Sequence, residues 1–319
     1  MLATVAGLAA AAWAFGATGW AGVLAAVGHI GVGGYLLFCL WFLVVFAILG
    51  AAWWAASCCE PLHTLWRFAW ARLVREAAAD LLPFSHLGGI VLGARTLIAH
   101  GVPQRRANAA LLVDLTTEMV AQLVFTLTGI ALFFAAVAAG PEAAKLRPLI
   151  FAGAAAMVAA MAAFLLVQRT GIGIAGRIAA RMLPGAQSAA EEIKGELRTI
   201  YTRPSAVGLS FLFNLLAWFG SAAGAWLGLR LMGAPVPLWA VLMVESLIFT
   251  LRSVAFAVPG ALGVQEVGYL LLAPMAGIAP EVLLALSLLK RARDLGLGVP
   301  TLLLWQALEA RAVVAGRAE

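Results

Sequence analysis

The stretch Arg252–Glu266 places a proline-glycine pair, Pro259-Gly260, in the middle of an apolar run and puts charge at both ends of that run. Proline lacks the amide donor, and it disfavours α geometry in the residue before it. A helix entering this stretch must therefore break inside hydrophobic sequence. The stretch Arg75–Gly89 has the same character around Pro83. Pro83 and Pro259 lie 176 residues apart, and so do Gly101 and Gly277. The same offset sets Asp114 over Lys290 and Glu118 over Asp294, so that each unit ends in a charged pair four residues apart. This pattern reads as an internal duplication, against the alternative of chance matches in a chain rich in Gly and Ala.

Only 11% of the 319 residues are charged and 64% are hydrophobic, where soluble domains carry about 25% charged residues. The chain is expected to be an all-α, polytopic integral membrane protein forming a single transmembrane domain over 1–319. The formal net charge of +6 suits loops facing anionic lipid; no dense basic cluster suggests nucleic-acid binding. Cys39, Cys58 and Cys59 make no disulfide framework. The four histidines, His29, His63, His86 and His100, have no ligand-like spacing, so neither metal nor cofactor is expected.

About 20 apolar residues cross the hydrocarbon. Six segments qualify as full spans: 2–20, 34–57, 106–138, 149–168, 205–232 and 281–308. Between them, 62–82 reads as an amphipathic helix too polar to face lipid, and residues 84–99 are short for a crossing. Together these two form a broken or re-entrant hairpin, mirrored by 238–258 and the short helix to about Ala276. Pseudo-repeat 1 is set at about 62–138 and pseudo-repeat 2 at about 238–308. The polar stretch 169–203, with six Lys/Arg and three Glu, is expected as a cytoplasmic amphipathic helix. Short basic loops orient membrane proteins, which places both termini in the cytoplasm. Three spans separate the hairpins, and an odd number inverts the second unit relative to the first.

Charge at the bilayer centre costs about 2.5–3.5 kcal/mol per residue on insertion scales. Asp114, Glu118, Glu245, Arg252, Glu266, Lys290, Arg291, Arg293 and Asp294, with Arg75, are thus expected to face one another or a water-filled cavity. Asp114/Glu118 and Glu245/Arg252 each share a helix face. Two readings follow. In the first the charges lock the bundle as ion pairs. In the second they line a substrate cavity between two broken helices, with Pro259, Gly260, Gly263 and Gln265 as further substrate-binding candidates; residues 260–264 and 84–89 supply free N-terminal amides that favour anions.

Four motifs, Arg75–Gly89, Asp114–Glu118, Val258–Glu266 and Lys290–Pro300, resemble the lysylphosphatidylglycerol synthetase transmembrane (flippase-like) family. They come nearest to its hopanoid-biosynthesis-associated branch. The family's break often reads Pro-Gly-Gly, and here Ala261 takes the third place. The resemblance implies a bacterial inner-membrane protein that moves a polar-headed lipid, phospholipid or hopanoid-related, between leaflets. The aminoacyl-transferase domain fused to some relatives has no counterpart in the sequence, so lysyl transfer is not expected. The alternative is a membrane enzyme or assembly factor of hopanoid synthesis. A membrane lipid is the expected partner, and a homo-oligomer is left open.

Overall fold

The computed structural model describes residues 20–58, 60–82, 85–137, 186–254 and 263–315, with isolated positions within 13–16 and 148–163. The expected spans 2–20 and 149–168, the loop 139–148, Pro83 and the Pro259-Gly260 break lie largely or wholly outside these residues. Among the described residues there are ten α-helices and no strand. In chain order they are α1 Trp20–Gly28, α2 Gly31–Ala56, α3 Leu65–Leu81, α4 Ser85–Ala99, α5 Gln104–Val137, α6 Ala186–Tyr201, α7 Pro204–Leu231, α8 Leu238–Val254, α9 Val264–Ala276 and α10 Pro280–Ala315. Three of them, α2, α5 to Ala135 and α7, are long and apolar enough to cross a membrane. The 36-residue α10 has the length, about 54 Å at 1.5 Å per residue, but interrupts its apolar face with Lys290, Arg291, Arg293 and Asp294.

The helix boundaries follow local rules. Leu82, which precedes Pro83, is extended at φ −92°, ψ 145°, and α3 stops there, as expected for the residue before proline. At Gly101 (φ 87°) and Gly277 (φ 66°) the chain enters a backbone region that only glycine adopts without strain. Each glycine is followed by the same closing bond, Val102 N–H to Leu97 O at 3.1 Å and Ile278 N–H to Ala273 O at 3.0 Å, the signature of a Schellman cap.

One succession of helices occurs twice: long, entering, short, long. The starts of α7, α8, α9 and α10 follow those of α2, α3, α4 and α5 by 173, 173, 179 and 176 residues. In the first run, α3 and α4 form an antiparallel hairpin. Gly89 sits against Arg75 O, Gly93 against Ala71 O, and the Trp66 and His100 rings meet at 5.4 Å at its open end. In the second run, Gly268 packs on Ile248 and Leu251, and Tyr269 reaches Glu245, so α8 and α9 are antiparallel as well.

The two hairpins open toward opposite ends of the bundle. The α3–α4 hairpin opens beside the C-terminus of α2, where Trp54 Nε1 donates to Pro61 O and Arg106 pairs with Glu60. The α8–α9 hairpin opens beside the C-terminus of α7, where Gly34 at the start of α2 faces Leu231. Helices α2 and α7 run antiparallel through the centre, with the Trp41 indole donating to Gly220 O and Gly224 seated on Phe42. Each hairpin then rests on the long helix of the other run. Leu81 and Ala77 of α3 meet Gly298 of α10, while Ser246 of α8 meets Gly129 of α5.

Candidate functional site

The hairpins hold two buried polar clusters. In the first, α3 presents Arg72 and Arg75 on successive turns, and α5 presents Asp114 and Glu118 at the i, i+4 spacing that shares a face. Arg72, 1% exposed, donates from Nη2 to Glu118 Oε1 at 2.6 Å and from Nη1 to Asp114 Oδ2 at 3.2 Å. Arg75 repeats the grip, with Nη1 on Asp114 Oδ2 at 3.1 Å and Nη2 on Glu118 Oε2 at 2.8 Å. Asn214 Nδ2 of α7 donates to Asp114 Oδ1 at 3.2 Å. Glu76 lies 2.8 Å from Arg72 Nε, an ion pair by distance whose alignment leaves that N–H without a hydrogen bond. The cluster joins two planar guanidinium groups to two carboxylates, the geometry in which charge-assisted bonds are about twice as strong as neutral ones. It ties α3, α5 and α7 together.

The second cluster belongs to α8, α9 and α10. Glu245, fully buried, pairs with Lys290 Nζ and accepts from Tyr269 OH at 2.7 Å; Lys290 also reaches Tyr269 OH at 2.9 Å. Beside them runs a hydrogen-bonded chain that ends on a carboxylate: Gln265 Nε2 to Ser287 Oγ at 2.8 Å, then Ser287 Oγ to Glu266 Oε1 at 2.7 Å. Glu266 Oε2 accepts the N–H of Gly263 at 2.8 Å, so that amide is already satisfied and is not offered to a head group as expected. Arg291 lies 3.6 Å from Glu266, and Arg293 pairs with its neighbour Asp294.

Glu245 and Arg252 share a face of α8, yet they do not pair. Arg252 instead donates to Gln265 Oε1 at 3.3 Å, a long bond for a charged donor. Among the described residues no carboxylate lies within ion-pair distance of it.

A cavity of about 120 Å³ separates the two clusters. Its charged wall consists of Arg72, Glu76, Asp80 and Glu118 from the first run and Arg252, Lys290 and Arg293 from the second, four cations against three carboxylates. Its apolar wall includes Phe42 and Phe249. Arg293 sits 4.0 Å above the Phe42 ring, and Arg252 lies 5.6 Å from the Phe249 centroid, within the range of cation–π attraction. Trp218 also walls the cavity, and its buried Nε1 has no hydrogen-bond acceptor among the described residues.

Of the expected site residues, Glu118, Arg252, Lys290 and Arg293 reach the cavity wall. Arg75, Asp114, Glu245 and Gln265 stand behind it, bonded to Glu118, Arg72, Lys290 and Arg252 in turn, while Glu266 holds Ser287 and the Gly263 amide. Gly263 caps α9, and Pro259 and Gly260 lie outside the described residues. Sequence reasoning passed over Arg72, Glu76 and Asp80 as site residues, although their spacing of four along α3 put three charges on one face of a helix in an apolar chain. Tyr269 and Trp218 carried no such signal, because an aromatic in a membrane helix is ordinary.

Apolar helices long enough to span, a pair of helical hairpins open toward opposite ends and a charged chamber between them define a polytopic membrane protein with a polar interior site. The chain belongs to the family described as Lysylphosphatidylglycerol synthase TM region, which it matches over residues 1–301. No curated protein and no solved structure matches it.

Proposed function

We propose that this protein moves an anionic, polar-headed lipid, a phospholipid or a hopanoid-related lipid, between the leaflets of a bacterial inner membrane. The observation that carries this reading is the cavity itself: cations outnumber carboxylates on its wall, and among the described residues no carboxylate lies within ion-pair distance of Arg252. Arginine keeps its charge at any working pH, so the site suits a phosphate or carboxylate. The repeated helix order and the opposed hairpins support an inverted repeat of 31–137 and 204–315, a plan on which transporters build midplane sites. The membrane-protein family supports a role in lipid metabolism or transport.

Reconstitution tests the reading. In liposomes containing phosphatidylglycerol, periodate oxidises only the glycerol head groups of the outer leaflet. Protein-bearing vesicles should become fully oxidisable many times faster than protein-free ones. Equal rates would overturn the proposal, and a chemically altered lipid would point to an enzyme of lipid synthesis instead.

A further inference from the structure

We infer that each anionic head group crosses together with one proton, and that Asp80 carries that proton. The inference rests on the function proposed above and adds the coupling ion to it. The ion pairs single the residue out. In the first cluster three carboxylates, Glu76, Asp114 and Glu118, engage both guanidinium groups. In the second, Glu245, Glu266 and Asp294 each have one cation. Two charged side chains of the cavity wall are left over, Asp80 from α3 and Arg252 from α8. Among the described residues Asp80 has neither a hydrogen bond nor a cation within ion-pair distance.

The wall's surplus of cations is local, since Lys290 and Arg293 are each paired with a carboxylate behind it. While Asp80 is ionised it offsets Arg252, and no cation of the site is then to spare for a phosphate. A head group that entered would compete with Asp80 for Arg252 and leave the carboxylate uncompensated, which is costly inside a membrane. A proton on Asp80 removes both penalties, because it cancels the negative charge and frees Arg252 for a charge-assisted bond to the lipid. The proton comes from water on one side, rests on a carboxyl oxygen during the crossing and leaves to water on the other. One negative and one positive charge move together, so the step carries no net charge.

The surroundings leave the role to Asp80. Its charged neighbours are Glu76 on its own helix, Arg252 on α8, and Arg293 and Asp294 on α10. Helix α2 brings no charged side chain, and its titratable Tyr35 and Cys39 contact each other. On α4, Arg95 pairs with Glu309, and His100 meets Trp66 at the open end of the hairpin. Glu118 reaches the cavity from α5 but is gripped by Arg72 and Arg75. Arginine keeps its proton at any working pH, and Lys290 is committed to Glu245. The ion is a proton and not a metal, because a hard cation needs several oxygen ligands at once. The described residues hold no group of three acidic, His or Cys side chains placed to bind one.

A pH gradient tests the coupling. With phosphatidylglycerol as a minor lipid of proteoliposomes, the burst of periodate oxidation reads how much of it lies in the outer leaflet. An acidic interior should drive it outward and an alkaline interior inward, by up to about tenfold per pH unit, beyond any shift in protein-free vesicles. Asp80→Asn should abolish the displacement. Displacement that survives in folded Asp80→Asn protein, or a sodium gradient at uniform pH that displaces the lipid equally, would overturn the inference. If the variant does not fold, the unmodified protein in detergent decides. Glycerophosphoglycerol added in a lightly buffered, mildly alkaline solution should draw a proton from solution with each head group bound, read with a pH dye; binding without uptake would overturn the inference. Exchange that ignores a pH gradient removes the coupling and leaves the function standing; no exchange in the unmodified protein removes both.

Discussion

At the scale of single residues, two arginines that look alike in sequence do different work. Arg72 meets Asp114, Glu118 and Glu76 at once. Removing one partner of a buried ion pair typically destabilises by about 3–5 kcal/mol, because the other charge is left uncompensated. Arg72→Gln should therefore lower the yield of folded protein sharply, read as loss of the monodisperse peak in detergent. Among the described residues Arg252 has one hydrogen bond, to the neutral Gln265 amide, and no carboxylate within ion-pair distance, so Arg252→Gln should shift stability by less than about 1 kcal/mol. Lipid exchange should nevertheless fall at least tenfold, because the wall loses its least-neutralised cation. Equal stability losses in the two variants would show that Arg252 too is structural. Lys290 combines both roles: it lines the cavity and neutralises the buried Glu245. The shared face of Asp114 and Glu118 was legible from a spacing of four. Their partner Arg72 was not, since pairing across helices separated by 42 residues leaves no periodic trace.

At the scale of helices, the two hairpins differ in how closely they pack, and glycine decides it. A Cβ on Gly89 would come within 2.5 Å of Arg75 O, and one on Gly93 within 3.3 Å of Ala71 O. Small residues four apart let membrane helices approach this closely. At the 176-residue offset the second hairpin carries Gln265 and Tyr269 instead, both buried and both hydrogen-bonded into its polar cluster. The first hairpin is thus a tight clasp and the second is held apart by polar side chains. Gly89→Ala must push against backbone and should destabilise by about 1–3 kcal/mol. Gly88→Ala, one residue earlier, meets nothing within 4 Å and should stabilise by up to about 1 kcal/mol through helix propensity. Thermal unfolding in detergent would compare them, and similar melting shifts would refute the clasp. The short helices and the Gly101 and Gly277 turns were readable in sequence because proline and glycine act locally. The tightness of each hairpin was not, because it depends on which residue stands across the gap.

At the scale of the whole molecule, the distribution of basic residues and the course of α10 make one joint prediction. Arg105 pairs with Glu196 of α6, Arg106 with Glu60, and Arg203 donates to Cys58 O, so the start of α5, the end of α2 and helix α6 share one end of the bundle. Lys194 and Arg198 lie there too, and an excess of Lys/Arg marks the cytoplasmic side. Helix α10 begins just after Ala279 and runs to Ala315, and toward its end Glu309 bonds Arg95 of α4. Since α4 ends beside α3 at that basic end, α10 must traverse the bundle from the opposite end despite its charges. This crossing is what lets Lys290 and Arg293 meet the cavity at mid-depth. In a protein freed of its three cysteines, Gly195→Cys should react with a membrane-impermeant maleimide only from the cytoplasmic side, for example in inside-out vesicles. Ala279→Cys, exposed in the turn before α10, should react only from the other side. Labelling of both positions from one face would mean that α10 does not cross. The opposed hairpins would then open onto a single leaflet, and a site that passes lipid between leaflets would have no second exit.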